Sequence, residues 1–307
     1  MTEPDRGTVL VSSPTEGRNP RTADIDRLPT LDVLRLINDE DAVVAGAVAA
    51  ALPAIAAVVD LAVASLQAGG RVHYAGAGTS GRIAVLDAVE IPQTYGVPAD
   101  RFVAHHAGGP AALGRLLEDV EDDEAAGAHD TAGVARGDVL LGLSASGRSP
   151  YVVGALRHAH GVGARTVLIS GDPAAAFGSA VDIHVAVPTG PEAVTGSTRM
   201  KAASAQKMVL NAISTATMIR LGYTYSNLMV GVVATNAKLR SRAVTILGQA
   251  TGCDTEWCAG ALAAAGGDVR VALVGLLGEV TVTEARSALD AAGGVVRTAL
   301  ARLAGTA

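Results

Sequence analysis

The stretch Gly76-Ala77-Gly78-Thr79-Ser80-Gly81 decides the fold, because it stands between an apolar run over 71–75 and a helical pattern that continues to about Val89. A strand that ends in a glycine-rich turn and leads into a helix presents free backbone N–H groups at the helix start. The helix dipole there also favours an anion such as phosphate. Outward from this point the pattern alternates: a strand over 102–106, a helix over 111–118 and a strand over 139–143. A second loop, Ser144-Ala145-Ser146-Gly147-Arg148-Ser149, opens a helix from Pro150 to about His160, and strands follow over 166–170 and 183–187. The series predicts an α/β fold: a five-stranded, mainly parallel sheet with helices on both faces, a three-layer αβα sandwich.

Before the first strand, about thirty residues rich in Pro, Arg, Asp and Thr carry no hydrophobic period and predict an extended arm, which needs a surface to lie on. Two helices follow, with Thr30 or Asn38 as caps and the acidic Asp39, Glu40 and Asp41 suited to a helix N-terminus; Gly69-Gly70 ends them. The apolar stretch over 42–66 is interrupted by Pro53 and Asp60 and reads as buried helix rather than membrane span. After the last strand the pattern predicts helices over 199–221 and 227–248, then short runs over 255–265, 269–277, 283–292 and 295–303. The chain thus divides into an arm (1–30), an α/β domain (31–250) and a small helical bundle (251–307).

With 307 residues, 49 % of them hydrophobic but only 3 % aromatic, the core must be built from Ala, Val and Leu packed closely. The mean hydropathy of +0.34 excludes a disordered chain. A net charge of -6 gives no electrostatic footprint for nucleic acid. Two cysteines, Cys253 and Cys258, with no His close by suggest neither a disulfide framework nor a zinc site. The polar N-terminus lacks the pattern of a signal peptide, so the expected location is the cytoplasm.

Gly76 to Gly81 matches G-x-G-x-x-G, but a dinucleotide site would call for an acidic residue ending the next strand, and that strand ends His105-His106-Ala107. Two hydroxyl-rich loops, each opening a helix, point instead to one shared phosphate, with Gly78, Thr79, Ser80, Gly81, Ser144, Ser146, Gly147 and Ser149 as its ligands. A third cluster, Thr195 to Lys201, concentrates Ser197 and other hydroxyls with Arg199 and Lys201 at a helix start. Cations there oppose the dipole, and a bound anion would offset that cost, so Arg199 or Lys201 is expected to reach the ligand, Lys201 as the cationic contact to phosphate. Glu90 stands among apolar neighbours near the end of the first loop's helix. Glu121 lies in an acidic run where like charges push carboxyl pKa values upward. His105 and His106 are read as structural, since no partner carboxylate or Cys at ligand spacing accompanies them.

These residues together resemble the N-acetylmuramic acid 6-phosphate etherases, built on the sugar isomerase (SIS) fold and related to the glucokinase regulator. The resemblance runs from Thr15 to about Cys253. It is carried by Thr15-Glu16-Gly17-Arg18-Asn19, Ile37-Asn38-Asp39-Glu40-Asp41, Gly76 to Arg82, Ser144 to Tyr151, Val194 to Lys201, Asn227-Leu228-Met229-Val230 and Val233-Ala234-Thr235-Asn236. It implies a lyase that cleaves the D-lactyl ether of its sugar phosphate, in amino-sugar recycling. Glu90 and Glu121 fall on the positions of the family's two catalytic glutamates, and Glu118 and Glu124 fit the second less well. Neither metal nor organic cofactor is implied. The implied partners are a phosphorylated amino sugar and a second copy of the chain, with the site near their interface. The chain departs from the family at Val89 and Ile91, and at Gly231, where Asp is usual. A non-catalytic sugar-phosphate regulator and an SIS-type isomerase use the same loops; retention of both glutamates favours the lyase.

Overall fold

The computed structural model describes residues 13–115, 117, 119–232 and 237–305. The quoted Val233-Ala234-Thr235-Asn236, Glu118 and the first twelve residues of the arm lie outside them. Five strands, β1 (Val72–Gly76), β2 (Phe102–His106), β3 (Val139–Leu143), β4 (Arg165–Ser170) and β5 (Ile183–Ala186), form one parallel sheet in the order β2-β1-β3-β4-β5, with helices on both sides. β4 pairs in parallel with β3, Leu141 opposite Val167, and with β5, Ile169 opposite Val185. Strands β1 and β3 are buried along their whole length, as a sheet covered on both faces requires. The order reverses direction between β1 and β3, so the loops leaving these two strands diverge and open a crevice at their carboxyl ends.

The chain divides into two compact units, Met1–Val58 with His73–Val85 and Ala104–Leu210, and Val59–Val72 with Leu86–Val103 and Asn211–Ala307. In the first, the arm runs as three 3-10 turns, Pro14–Glu16, Pro20–Thr22 and Ile25–Arg27. It lies on the segment after β5: Asn19 Nδ2 donates to the Pro191 carbonyl (3.2 Å) and Thr22 Oγ1 to that of Ala193 (2.9 Å). α1 (Thr30–Asp41) and α2 (Val43–Gln67) follow. Glu40 ends α1 rather than starting a helix, and Asn38 lies inside α1 rather than capping one.

On α2, Val44, Val48, Ala51, Ile55 and Val58 recur at helical spacing and are buried. The opposite face, Ala45, Ala49, Leu52 and Ala56, is apolar and exposed. Only 33 % of the most apolar window over Thr30–Gln67 is buried, so the expectation of a buried helix holds for one face alone.

The helix expected over 111–118 is replaced by a 3-10 turn, Gly109–Ala112, and α4 begins later, at Glu124–Asp130. Gly108 and Gly109 both adopt positive φ, which turns the chain away from a helix, and Asp123 Oδ1 caps α4 by accepting from Ala126 N (2.8 Å). α3 (Gly78–Tyr95), α5 (Pro150–Val162) and α6 (Lys201–Arg220) fall where the periodicity puts them, α3 running on through Pro92.

In the second unit, α7 is Ala237–Thr251; the described residues up to Val232 of the helix expected from Asn227 are not helical, with Ser226 at φ 54° and a bridge between Tyr225 and Leu228 forming a turn there. Four short helices follow, α8 (Thr255–Ala264), α9 (Val269–Gly278), α10 (Val282–Ala291) and α11 (Val296–Leu303). Asp254 and Asp268 cap α8 and α9, and Thr281 with Glu284 forms a capping box on α10. They pack with α7 around Leu239, Leu247, Cys258, Leu262 and Leu273. A Cβ on Gly231 would lie 2.3 Å from the Tyr95 carbonyl oxygen, so glycine there permits a backbone approach that a side chain would prevent.

Candidate active site

At the crevice between the loops of β1 and β3 lies a cavity of about 360 Å³, lined by Ala77, Gly78, Thr79 and Ser80 on one side and by Leu143, Ser144, Ala145, Ser146 and Ser149 on the other. Glu16, Glu121 and Thr198 complete the wall. The first loop is tight. A Cβ on Gly81 would lie 2.4 Å from Gly76 O and 2.7 Å from His106 Cδ2. Gly81 therefore packs beneath the loop, and it does not line the cavity. Gly78 takes φ 52° and starts α3, which puts Thr79 and Ser80 in its first turn, where the dipole is positive.

The second loop is folded around Ser144. Its Oγ accepts from the amides of Arg148 (3.2 Å) and Ser149 (3.4 Å), so the hydroxyl proton is what it has left to offer a ligand. Ser146 Oγ also accepts from Arg148 N (3.3 Å). Gly147, at φ 69°, packs against Ser170 and Ala175 and does not line the cavity. Ser149, the residue before α5, uses its hydroxyl to donate to the Glu121 carbonyl (3.4 Å), and Tyr151 N donates to the same oxygen (3.0 Å). Two bonds from the start of α5 thus pin the backbone of Glu121 beside the phosphate-type loop. Burial raises the Glu121 pKa above the ordinary carboxylate value, and the neighbouring charge of Asp122 adds to it.

The third cluster is arranged differently from expectation. Lys201 is fully buried, and its Nζ lies 2.5 Å from Glu40 Oε2. Arg21 closes the other side of that carboxylate, Nε to Oε1 at 2.5 Å and Nη2 to Oε2 at 2.8 Å, and these partners lower the Glu40 pKa to about 2. The anion at the start of α6 is Glu192, whose two oxygens accept from Lys201 N (2.9 Å) and Ala202 N (3.0 Å). Lys201 is therefore withdrawn as a ligand group: the opposition between cation and helix dipole is settled inside the protein. Ser197 is not in the wall; Thr198, one residue on, takes its place. Among the described residues no lysine, arginine or histidine lines the cavity, so an anion there would be held by hydroxyls, amides and helix N-termini.

Of the two glutamates, only Glu121 lines the cavity. Glu90 is exposed on α3, in the other unit, with Val89 beside it 62 % exposed and Leu86 45 % exposed. The histidines have partners invisible in the local sequence: His73 Nδ1 lies 3.1 Å from His105 Nε2, and His73 Nε2 lies 3.3 Å from Asp138 Oδ2. Burial, and then the charge of His73, lowers the His105 pKa to about 4. Sequence reasoning named neither Asp138 nor His73, since they meet only across β1, β2 and the start of β3. Glu16 was missed as a wall residue, although it lies in one of the quoted motifs. Among the described residues no three His, Cys, Asp or Glu side chains gather as a metal site.

A parallel sheet with an anion cavity at its order reversal, walled by two serine and threonine loops, defines a protein of the SIS class. Residues 54–160 match the family described as glucokinase regulatory protein N-terminal SIS domain. A solved Bacteroides fragilis structure, described as a phosphosugar isomerase involved in capsule formation, shares the fold with a TM-score of 0.50 at 21 % identity, over 64 % of this chain and 93 % of that one. The chain is 61 % identical over 268 residues to an N-acetylmuramic acid 6-phosphate etherase of Thermobifida fusca, covering 87 % of this chain and 88 % of that protein. With the etherase of Cutibacterium acnes it shares 51 % over 275 residues, 89 % and 90 % of the two chains. The chain belongs to the N-acetylmuramic acid 6-phosphate etherases, which are carbon–oxygen lyases.

Proposed function

We propose that this chain cleaves the D-lactyl ether at C3 of N-acetylmuramic acid 6-phosphate, giving N-acetylglucosamine 6-phosphate and D-lactate. The observation that carries the reading is the position of Glu121, a carboxyl with a raised pKa, in the wall of a cavity whose two loops offer hydroxyls and backbone amides suited to phosphate. In the ring-opened sugar the C1 aldehyde acidifies the C2 proton. A carboxylate takes that proton, a carboxylic acid protonates the departing lactate oxygen as the C3–O bond breaks, and water then adds at C3 of the unsaturated aldehyde. Glu121 is assigned as the base, because a carboxylate held at higher pKa is the stronger base. Glu90 is assigned as the acid, serving again to activate the water. Thr79, Ser80, Ser144 and Ser146 hold the phosphate, while Ser149 has its hydroxyl and amide committed to Glu121 and Ser144.

Glu90 reaches the reaction from a second copy of the chain. In support, it stands beside the exposed Leu86 and Val89, and the outer face of α2, with Leu52 51 % exposed, is uncovered apolar surface of the kind that homodimers bury. The proposed location is the cytoplasm.

The test is release of D-lactate from N-acetylmuramic acid 6-phosphate by the purified protein, with Glu90→Ala and Glu121→Ala alongside. Lactate from the wild type and little from either variant is the expected result. Binding of the sugar without lactate release would overturn the lyase reading in favour of a sugar-phosphate regulator. For the roles, Glu90→Gln should still exchange solvent deuterium into C2 while forming no lactate; retained lactate release without exchange would overturn them.

A further inference from the structure

Glu16 enters the cavity from a part of the chain that has no share in the sheet, and it is held there on several sides. Thr15, 1 % exposed, packs against Gly171, whose amide donates to Ala145 O in the serine loop (2.9 Å). Ser13 Oγ lies 3.0 Å from Thr15 Oγ1, and Asn19 and Thr22 tie the following turn to the carbonyls of Pro191 and Ala193. The carboxylate itself lies against Gly196: a Cβ there would come within 3.3 Å of Glu16 Oε2. Gly196 takes φ 75°, which favours glycine at this position whatever the space. The arm is thus clamped to the segment that also brings Thr198 into the wall, and Glu16 is the group it delivers.

An ionised carboxylate accepts hydrogen bonds and donates none. With no lysine, arginine or histidine among the described residues of the wall, Glu16 repels both anionic ends of an acidic sugar phosphate, the phosphate and the lactyl carboxylate. What it attracts are the uncharged donors between them, the ring hydroxyls and the acetamido N–H. We propose that Glu16 is a substrate-contacting residue that accepts a hydrogen bond from a hydroxyl or amide N–H of the amino sugar. It thereby orients the sugar so that its phosphate meets the serine and threonine loops. This rests on the sugar-phosphate reading above and adds to it a third carboxylate with a binding role, supplied by the N-terminal arm.

The experiment measures affinity for N-acetylglucosamine 6-phosphate and, separately, for inorganic phosphate, by calorimetry on wild type, Glu16→Gln and Glu16→Ala. Glu16 is exposed, so both variants should fold, and a thermal melt checks this. Glu16→Ala should weaken the sugar phosphate about tenfold or more, the loss expected when a hydrogen bond to a charged group is removed. Glu16→Gln, which keeps an acceptor oxygen, should fall between. Phosphate affinity should stay the same or rise, because a negative charge has gone. Unchanged sugar-phosphate affinity, or an equal loss for both ligands as a loosened arm would give, overturns the inference. The lactate assay separates the two ideas: a wild type that releases no lactate, together with a selective Glu16→Ala loss, removes the lyase reading and leaves this one standing.

Discussion

Lys201 Nζ lies 2.5 Å from Glu40 Oε2 with both side chains almost wholly buried, and the two residues are 161 positions apart in the chain. The pair joins α1 to the start of α6, and Arg21 adds the arm to the same carboxylate. Removing Glu40 strands a buried ammonium. Glu40→Ala should therefore lower unfolding free energy by about 3–5 kcal/mol, whereas Lys201→Met, which leaves Glu40 with Arg21, should cost less. Urea titrations check this; a Glu40→Ala loss below about 1 kcal/mol would mean the pair is solvated in solution.

The same carboxylate makes stability pH-dependent in a defined window. Its folded pKa, about 2, lies below the ordinary value of 4.5, so its contribution is fully present above pH 4.5. It is lost as pH falls from there through about 2. Melting temperature should drop over that range in the wild type, and the slope should be shallower in Glu40→Gln. Parallel slopes would show that other groups control acid unfolding.

Glu121 shows the opposite sign. Its folded pKa is raised, chiefly by burial, so ionising it at neutral pH opposes folding. Glu121→Gln should leave the melting temperature equal or higher while lactate release falls at least about a hundredfold. In the wild type the acid limb of kcat/KM should lie above 4.5, because the base must be ionised. A Glu121→Gln protein that is both active and destabilised would show a structural residue instead.

Gly81 tests the loop. A Cβ would meet the Gly76 carbonyl oxygen at 2.4 Å and His106 at 2.7 Å, and the first of these is backbone that cannot swing aside. Gly81→Ala should cost about 1–3 kcal/mol and weaken sugar-phosphate binding through displacement of Thr79 and Ser80. A variant with unchanged stability and affinity would show that β1 and α3 separate easily.

The outer face of α2 tests the dimer. Leu52→Glu puts a charge on exposed apolar surface where the single chain tolerates it and an interface does not. Sedimentation velocity should show dimers for the wild type and monomers for the variant, with lactate release lost because Glu90 no longer reaches its site. An active monomer would place Glu90 at the site of its own chain.

The strands over 102–106 and 139–143 and the starts of α5 and α8 were legible from the sequence because their signals are local. Short apolar runs, Pro150 at a helix start and Asp254 as a cap all act within a few residues. The two hydroxyl loops were legible for the same reason, since strand–loop–helix order by itself sets backbone amides at a helix start. The sequence misled at Lys201, where the dipole argument correctly required an anion, but the anions are Glu192 and Glu40, supplied by distant segments.

What the sequence by itself determined is the order of elements, the parallel sheet and the phosphate-type loops that its turns create. Only the tertiary structure decided which wall residues those loops meet. It placed Glu121 and Glu16 in one cavity, set Gly81 beneath it, committed Lys201 to Glu40 and left one face of α2 bare. Periodicity and turn chemistry are properties of neighbouring residues, whereas the partner of a buried charge is set by how segments more than a hundred residues apart pack together.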